Sequence, residues 1–167
     1  NGTQTRTGNI TVNSTNGGVD MQAAAGGSNA NVQIGHGGRN SGGTMNGDIT
    51  VTAGGANEDI NVLAGAGNEA SARIGHGGTA ANGNQGLAAN EIELNATRDI
   101  NLTAGNNNNA YVQVGNGGLA TNGTKTGDID LNAGRNVIAT GGTSATAGRD
   151  DMYVQIGNGG AQSSSNS

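Results

Sequence analysis

The sequence contains no cysteine, proline, phenylalanine or tryptophan, and its aromatic side chains are two tyrosines, Tyr111 and Tyr153. Without cysteine there are no disulfides and no thiolate metal sites, a usage compatible with an exported protein. Hydrophobic residues reach 32%, against about 45–50% for ordinary domains when glycine is counted in. A layered globule around an aromatic core is therefore disfavoured. Basic residues are also scarce: seven Lys plus Arg against twelve Asp plus Glu leave a formal net charge of −5. A phosphate-binding surface has little to work with, so no nucleic-acid partner is expected. No apolar run approaches the roughly 18–20 residues of a membrane-spanning helix. The opening residues NGTQTRTGNI lack an initiator Met and a signal-peptide profile, which reads as a processed or excised chain.

What the chain has in abundance is glycine, 34 residues of 167, and asparagine, 26 more. Such a composition suits disorder, but disordered chains do not keep apolar residues in register, and this one does so four times. Val32-Gln33-Ile34-Gly35-His36-Gly37-Gly38 returns as Ala72-Arg73-Ile74-Gly75-His76-Gly77-Gly78. It returns again as Val112-Gln113-Val114-Gly115-Asn116-Gly117-Gly118 and as Val154-Gln155-Ile156-Gly157-Asn158-Gly159-Gly160. The first glycine of each phrase stands at 35, 75, 115 and 157, spacings of 40, 40 and 42. A period of that length marks a repeat architecture.

Each repeat carries three short segments that alternate apolar and polar, the pattern of a strand with one buried face. The first is Ile10-Thr11-Val12, Ile49-Thr50-Val51, Ile92-Glu93-Leu94 and Ile129-Asp130-Leu131. The second is Val19-Asp20-Met21, Ile60-Asn61-Val62, Ile100-Asn101-Leu102 and a blurred copy at Val137-Ile138-Ala139. The third is the Val-Gln-Ile phrase. No helical stripe is sustained, and Asn-Gly and Gly-Gly steps between segments supply the positive φ of tight corners. Two all-β arrangements suit the pattern: a parallel β-helix (β-solenoid) of stacked rungs, or antiparallel hairpins in a sandwich or prism. Like residues recurring at like positions favour the solenoid. Whether a repeat makes one turn or two stays open.

The chain reads as one array over residues 1–167, with repeats at about 5–38, 39–78, 79–118 and 119–160 and a polar tail at 161–167. The tail is too short to cap a rung. Its expected core ladder is Ile34, Ile74, Val114 and Ile156 in one column, Ile49, Ile92 and Ile129 in a second, and Ile60 and Ile100 in a third. Such a stack ends in unpaired strand edges and an open core cross-section. Neighbouring repeats, or another copy of the chain, are expected on those ends.

The strings GDITVTAG, IELNATRDINLTAG and AYVQVGNGG resemble the repeats of large exported bacterial adhesins of the filamentous haemagglutinin type. The resemblance runs from about Thr7 to Gly160. It implies a long right-handed parallel β-helix, an extracellular or cell-surface location, and a role in adhesion or as a fibre-forming scaffold.

Candidate chemistry is weighed against that structural reading. His36 and His76 occupy equivalent positions and could bind a metal or respond to pH. Their column continues as Asn116 and Asn158, which favours a polar turn ladder. Carboxylates at Glu58 and Asp59, Glu91 and Glu93, Asp128 and Asp130, and Asp150 and Asp151 invite a polysaccharide-degrading or carbohydrate-binding alternative. Most recur at fixed offsets from strand starts, as corner residues do, so no catalytic residue is assigned and no enzyme is expected. No cofactor is expected either; Asp150 and Asp151 are the densest acidic pair and the weak candidates for calcium. Tyr111 and Tyr153, each just before a third strand, are either the rim of a subunit contact or outward cover for the sheet. Cell-surface carbohydrate is a further possible partner.

Overall fold

A computed structural model describes residues 4–143 and 150–164. Among them there is no helix, and the strands stack as a parallel β-solenoid of about four turns. The first rung comprises β1 (Arg6–Thr7), β2 (Ile10–Ser14), β3 (Val19–Gln22) and β4 (Val32–Ile34). The second comprises β5 (Met45–Asn46), β6 (Ile49–Ala53), β7 (Ile60–Leu63) and β8 (Ala72–Ile74). The third is β9 (Glu91–Ala96), β10 (Asp99–Thr103) and β11 (Val112–Val114), and the fourth β12 (Asp128–Ala133), β13 (Asn136–Thr140) and β14 (Val154–Ile156).

Each repeat is therefore one turn. Three four-stranded sheets run along the stack, β2-β6-β9-β12, β3-β7-β10-β13 and β4-β8-β11-β14, with β1-β5 as a short fourth. All pairings are parallel and in register: Ile10, Ile49, Ile92 and Ile129 form one column, Val19, Ile60, Ile100 and Val137 another. The register follows from the alternation, since a slip by one residue would turn every apolar side chain to solvent. Ile49, Ile60, Ile74, Ile92, Ile100 and Val114 are fully buried or nearly so.

The core ladder is not buried along its whole length. Ile34 and Ile129 are half-buried, and Ile156 is 47% exposed, because each lies on the first or the last rung among the described residues. The blurred segment at Val137-Ile138-Ala139 is a full strand, paired to β10, with Val137 44% and Ile138 43% exposed.

The third sheet departs from the one-faced expectation. Ala72, Arg73 and Ile74 are all buried, as are Val112, Gln113 and Val114. The apolar members face the main core. Arg73 and Gln113 face a second compartment, closed by the chain after each Gly-x-Gly-Gly corner. That segment returns close to the corner: a Cβ on Gly37 would lie 2.8 Å from Met45 Sδ, and one on Gly77 would lie 2.6 Å from Gln85 Oε1. The polar tail also joins the stack in part. Ala120 N donates to the Ala161 carbonyl, Ser164 N to that of Thr121, and Lys125 Nζ to that of Ser164.

Corners recur as columns too. Asn29, Glu69, Asn109 and Asp151 share a left-handed conformation with φ of 61°, 55°, 54° and 59°. Asn40, Ala80, Ala120 and Gln162 form a second such column, so left-handed corners here are not confined to Gly and Asn.

Candidate functional site

The stacking places the histidine and asparagine positions directly above one another. The His36 and His76 rings stack with centroids 5.1 Å apart and 7° between planes. His36 N donates to His76 Nδ1 at 3.0 Å, His76 N to Asn116 Oδ1 at 2.8 Å, and Asn116 N to Asn158 Oδ1 at 2.9 Å. The ring Nε2 of His36 lies 2.9 Å from the Gly8 carbonyl and that of His76 2.9 Å from the Gly47 carbonyl. A carbonyl only accepts, so each Nε2 carries a proton, and His76 Nδ1, which takes the His36 N–H, is the acceptor of its ring. Both nitrogens of His76 are thereby used, and burial pushes its pKa below the usual imidazole value.

The neighbouring column is Gln33, Arg73, Gln113 and Gln155. Gln33 Nε2 donates to the Gly75 and Gly77 carbonyls of the next rung at 2.8 and 3.2 Å, and Gln113 Nε2 to those of Gly157 and Gly159 at 3.2 and 2.9 Å. Arg73, 3% exposed, is held by neutral acceptors: Gln33 Oε1 at 2.7 Å and the Gly117 carbonyl at 3.3 Å. Its Nε, with Gln85 Oε1 and Gln113 Oε1, is buried and unpaired, and all three atoms belong to the second compartment.

Tyr111 and Tyr153 do not form an outward rim. They stack with centroids 5.1 Å apart, and Tyr111 is 1% exposed on the Gln113 side of the sheet. The hydroxyl of Tyr111 accepts from Leu119 N and that of Tyr153 from Ala161 N, each at 3.2 Å. Alternation explains the placement, since residues 111 and 113 share a face. Burial raises the Tyr153 phenol to about 12.

The candidate carboxylates fall into three groups. Asp59 and Asp99 form a staircase, each gripped by the arginine of the following rung: Arg98 bridges both oxygens of Asp59, and Arg135 both oxygens of Asp99. Arg135 holds the Asp99 carboxyl at about 2, against the opposing effect of burial, and Arg98 lowers Asp59 in the same way. The signal was legible in Arg98-Asp99 and Arg135-Asn136, which recur one residue before the second strand. Glu91, Glu93, Asp128 and Asp130 instead lie on the outward face of β9 and β12, stacked in register. Asp150 and Asp151 sit at a left-handed corner, where Asp150 N donates to Asn108 Oδ1 at 3.0 Å. Among the described residues no three His, Asp or Glu side chains converge to hold a metal.

A surface hollow of about 560 Å³ is lined by Thr5, Ser41, Asn82, Asn84 and neighbouring small residues. A groove of about 360 Å³ follows Thr52, Asn95 and Asn132 along the stack. The carboxylates lie outside both. No protein-family model, curated protein or solved structure matches the chain.

Proposed function

We propose that the chain is a non-enzymatic, extracellular or cell-surface solenoid segment of bacterial origin. Its task is mechanical: to build a fibre or a long surface adhesin by continuing rung on rung, with neighbouring repeats or further copies on its ends. The resemblance to filamentous haemagglutinin-type repeats supports that setting, and cell-surface carbohydrate is the ligand class such an adhesin would meet.

The observation that carries this reading is the fourth rung. Val137 and Ile156 are 44% and 47% exposed, whereas Ile100 and Val114, one rung below in the same columns, are fully buried. An apolar column at an open strand edge is a surface for a further rung, whether of this chain or of another copy. Asp59 and Asp99 are held in structural pairs with Arg98 and Arg135, which supports a scaffold over a catalytic groove. Electron microscopy of the purified chain tests the reading. Narrow filaments of uniform width that lengthen with concentration are expected, and monodisperse single particles at high concentration would overturn it.

A further inference from the structure

Six Asn-Gly steps lie among the described residues, at Asn16, Asn46, Asn82, Asn116, Asn122 and Asn158. Such a step carries a reaction of its own. The glycine N–H can attack the carboxamide carbon of the preceding asparagine, because glycine has no Cβ to obstruct the approach. The fold decides which of the six are free to react.

Asn116 and Asn158 are locked. Asn116 Oδ1 accepts from His76 N and its Nδ2 donates to the Thr126 carbonyl, while Gly117 N is held by the His76 carbonyl at 2.9 Å. Asn158 repeats the arrangement with Asn116 N and the Gly127 carbonyl, and Gly159 N donates to the Asn116 carbonyl at 2.8 Å. At Asn46 the nucleophile is taken, since Gly47 is buried and its N donates to Asn90 Oδ1 at 3.3 Å. Asn122 has both amide atoms engaged, Nδ2 with Asn82 Oδ1 and Oδ1 with the Ser164 hydroxyl.

Asn82 differs on each count. It is exposed, and among the described residues its Nδ2 has no partner and Gly83 N makes no hydrogen bond of ordinary geometry. Asn82 and Gly83 line the hollow of about 560 Å³, so water reaches them. Asn122 Nδ2 donates to Asn82 Oδ1 at 2.7 Å, on the oxygen that turns negative when the carboxamide carbon is attacked. Stacking also fixes the reactive neighbour: at Gly83, where φ is +112°, a Cβ would lie 2.4 Å from the Gly43 carbonyl oxygen, so no larger residue fits. Asn16-Gly17 is open as well, but no donor meets the Asn16 carboxamide oxygen among the described residues.

We propose that Asn82-Gly83 is a self-modification site, at which the folded chain converts an amide into a carboxylate with water as the co-reactant. Gly83 N bonds to the side-chain carbonyl carbon of Asn82, its proton goes to the departing Nδ2, and ammonia leaves a cyclic imide. Water then adds across either imide C–N bond. Opening at the former side-chain carbon gives aspartate on a normal backbone. Opening at the main-chain carbon gives isoaspartate, whose backbone runs through the former side chain. Both products add one negative charge at position 82. The aspartate keeps the bond from Asn122 as a charge-assisted one. The isoaspartate lengthens the backbone between two cross-rung bonds, Asn82 N to the Ser41 carbonyl and Gln85 N to that of Thr124, and so loosens the segment that covers Arg73 and Gln113.

The test is peptide mapping by mass spectrometry of the full chain held folded at mildly alkaline pH, with isoaspartate labelled by a carboxyl methyltransferase and the fold followed by circular dichroism. Cleavage after Arg73, Arg98 and Lys125 places Asn82 on one peptide and Asn116 with Asn122 on another. Asn82 should convert first, to aspartate and isoaspartate together, while Asn116 and Asn158 remain amides. The same chain in urea should convert all six steps at similar rates. Asn122→Ala, and Asn122→Asp, whose carboxylate cannot donate, should each slow Asn82 about three- to tenfold and leave Asn16 unchanged. Equal rates at Asn82 and Asn116 in the folded chain, or an Asn82 that reacts in urea alone, overturn the site. An Asn82 rate indifferent to both Asn122 variants overturns the part assigned to Asn122.

Discussion

His76 accepts the backbone N–H of His36 at its Nδ1, 3.0 Å away, while its Nε2 faces the Gly47 carbonyl. The ring can hold both bonds only when neutral. Its folded pKa lies below the ordinary imidazole value through burial, so the unfolded chain takes up a proton first as pH falls. Stability should be full above about 6.5 and decline as pH drops through that value toward the folded pKa. Thermal melts across this range should show the decline in the native chain and a smaller one in His76→Asn. His76→Ala should lose about 1–3 kcal/mol at neutral pH. A pH-independent melting temperature would refute the account.

The Asp99 carboxylate should titrate far below its normal range. Arg135 clamps both oxygens, and Asn136 N adds a bond at 3.1 Å. With the folded pKa at about 2 and the ordinary value at 3.8, its contribution is present above 3.8 and disappears as pH falls toward 2. Carboxyl carbon shifts followed by NMR should place the midpoint near 2, and Arg135→Gln should move it upward. A native midpoint near 3.8 would contradict the clamp.

Two glycine-to-alanine changes should separate cleanly. A Cβ at Gly75, where φ is +147°, would lie 2.0 Å from the Gly115 carbonyl oxygen of the next rung, while one at Gly26 meets nothing within 4 Å. Gly75→Ala should destabilise by about 4 kcal/mol or more, and Gly26→Ala should stay within about 0.5 kcal/mol. Urea midpoints compared at equal m-value decide it. Equal effects would mean that rung spacing does not require glycine at position 75.

Arg73 interrupts a glutamine column and, among the described residues, has no carboxylate partner. Arg73→Gln should reach the Gly115 and Gly117 carbonyls as Gln33 and Gln113 reach theirs, and remove a buried charge. Stability should be unchanged or raised by about 1 kcal/mol, whereas Arg73→Ala should lower it by about 2 kcal/mol through lost packing and unpaired acceptors. Denaturant unfolding of the two variants provides the measurement. A large loss in Arg73→Gln would show that the guanidinium itself is required.

The period, the three strands and their apolar columns were readable in the sequence because a two-residue alternation repeated at fixed spacing allows one register with a buried face. Ile49, Ile60, Ile74, Ile92, Ile100 and Val114 lie buried where that pattern put them. The histidine and asparagine column was readable for the same reason. The Arg98 and Arg135 pairs were encoded equally plainly, but only cross-rung spacing reveals them, since each arginine serves the carboxylate of the rung before it.

Glycine and asparagine, with almost no aromatic residues, thus determined a thin core stacked by repetition, and the sequence carried that alone. What only the tertiary structure decided is how the connecting segments use the outer face of the third sheet. Their return over Arg73 and Gln113 turns Tyr111 from a surface residue into a buried one. The exposure of Ile156, chemically identical to the buried Ile74, was likewise settled in three dimensions. Local alternation specifies which side of a strand is apolar, whereas burial depends on what lies beyond that side, and only the assembled rungs supply it.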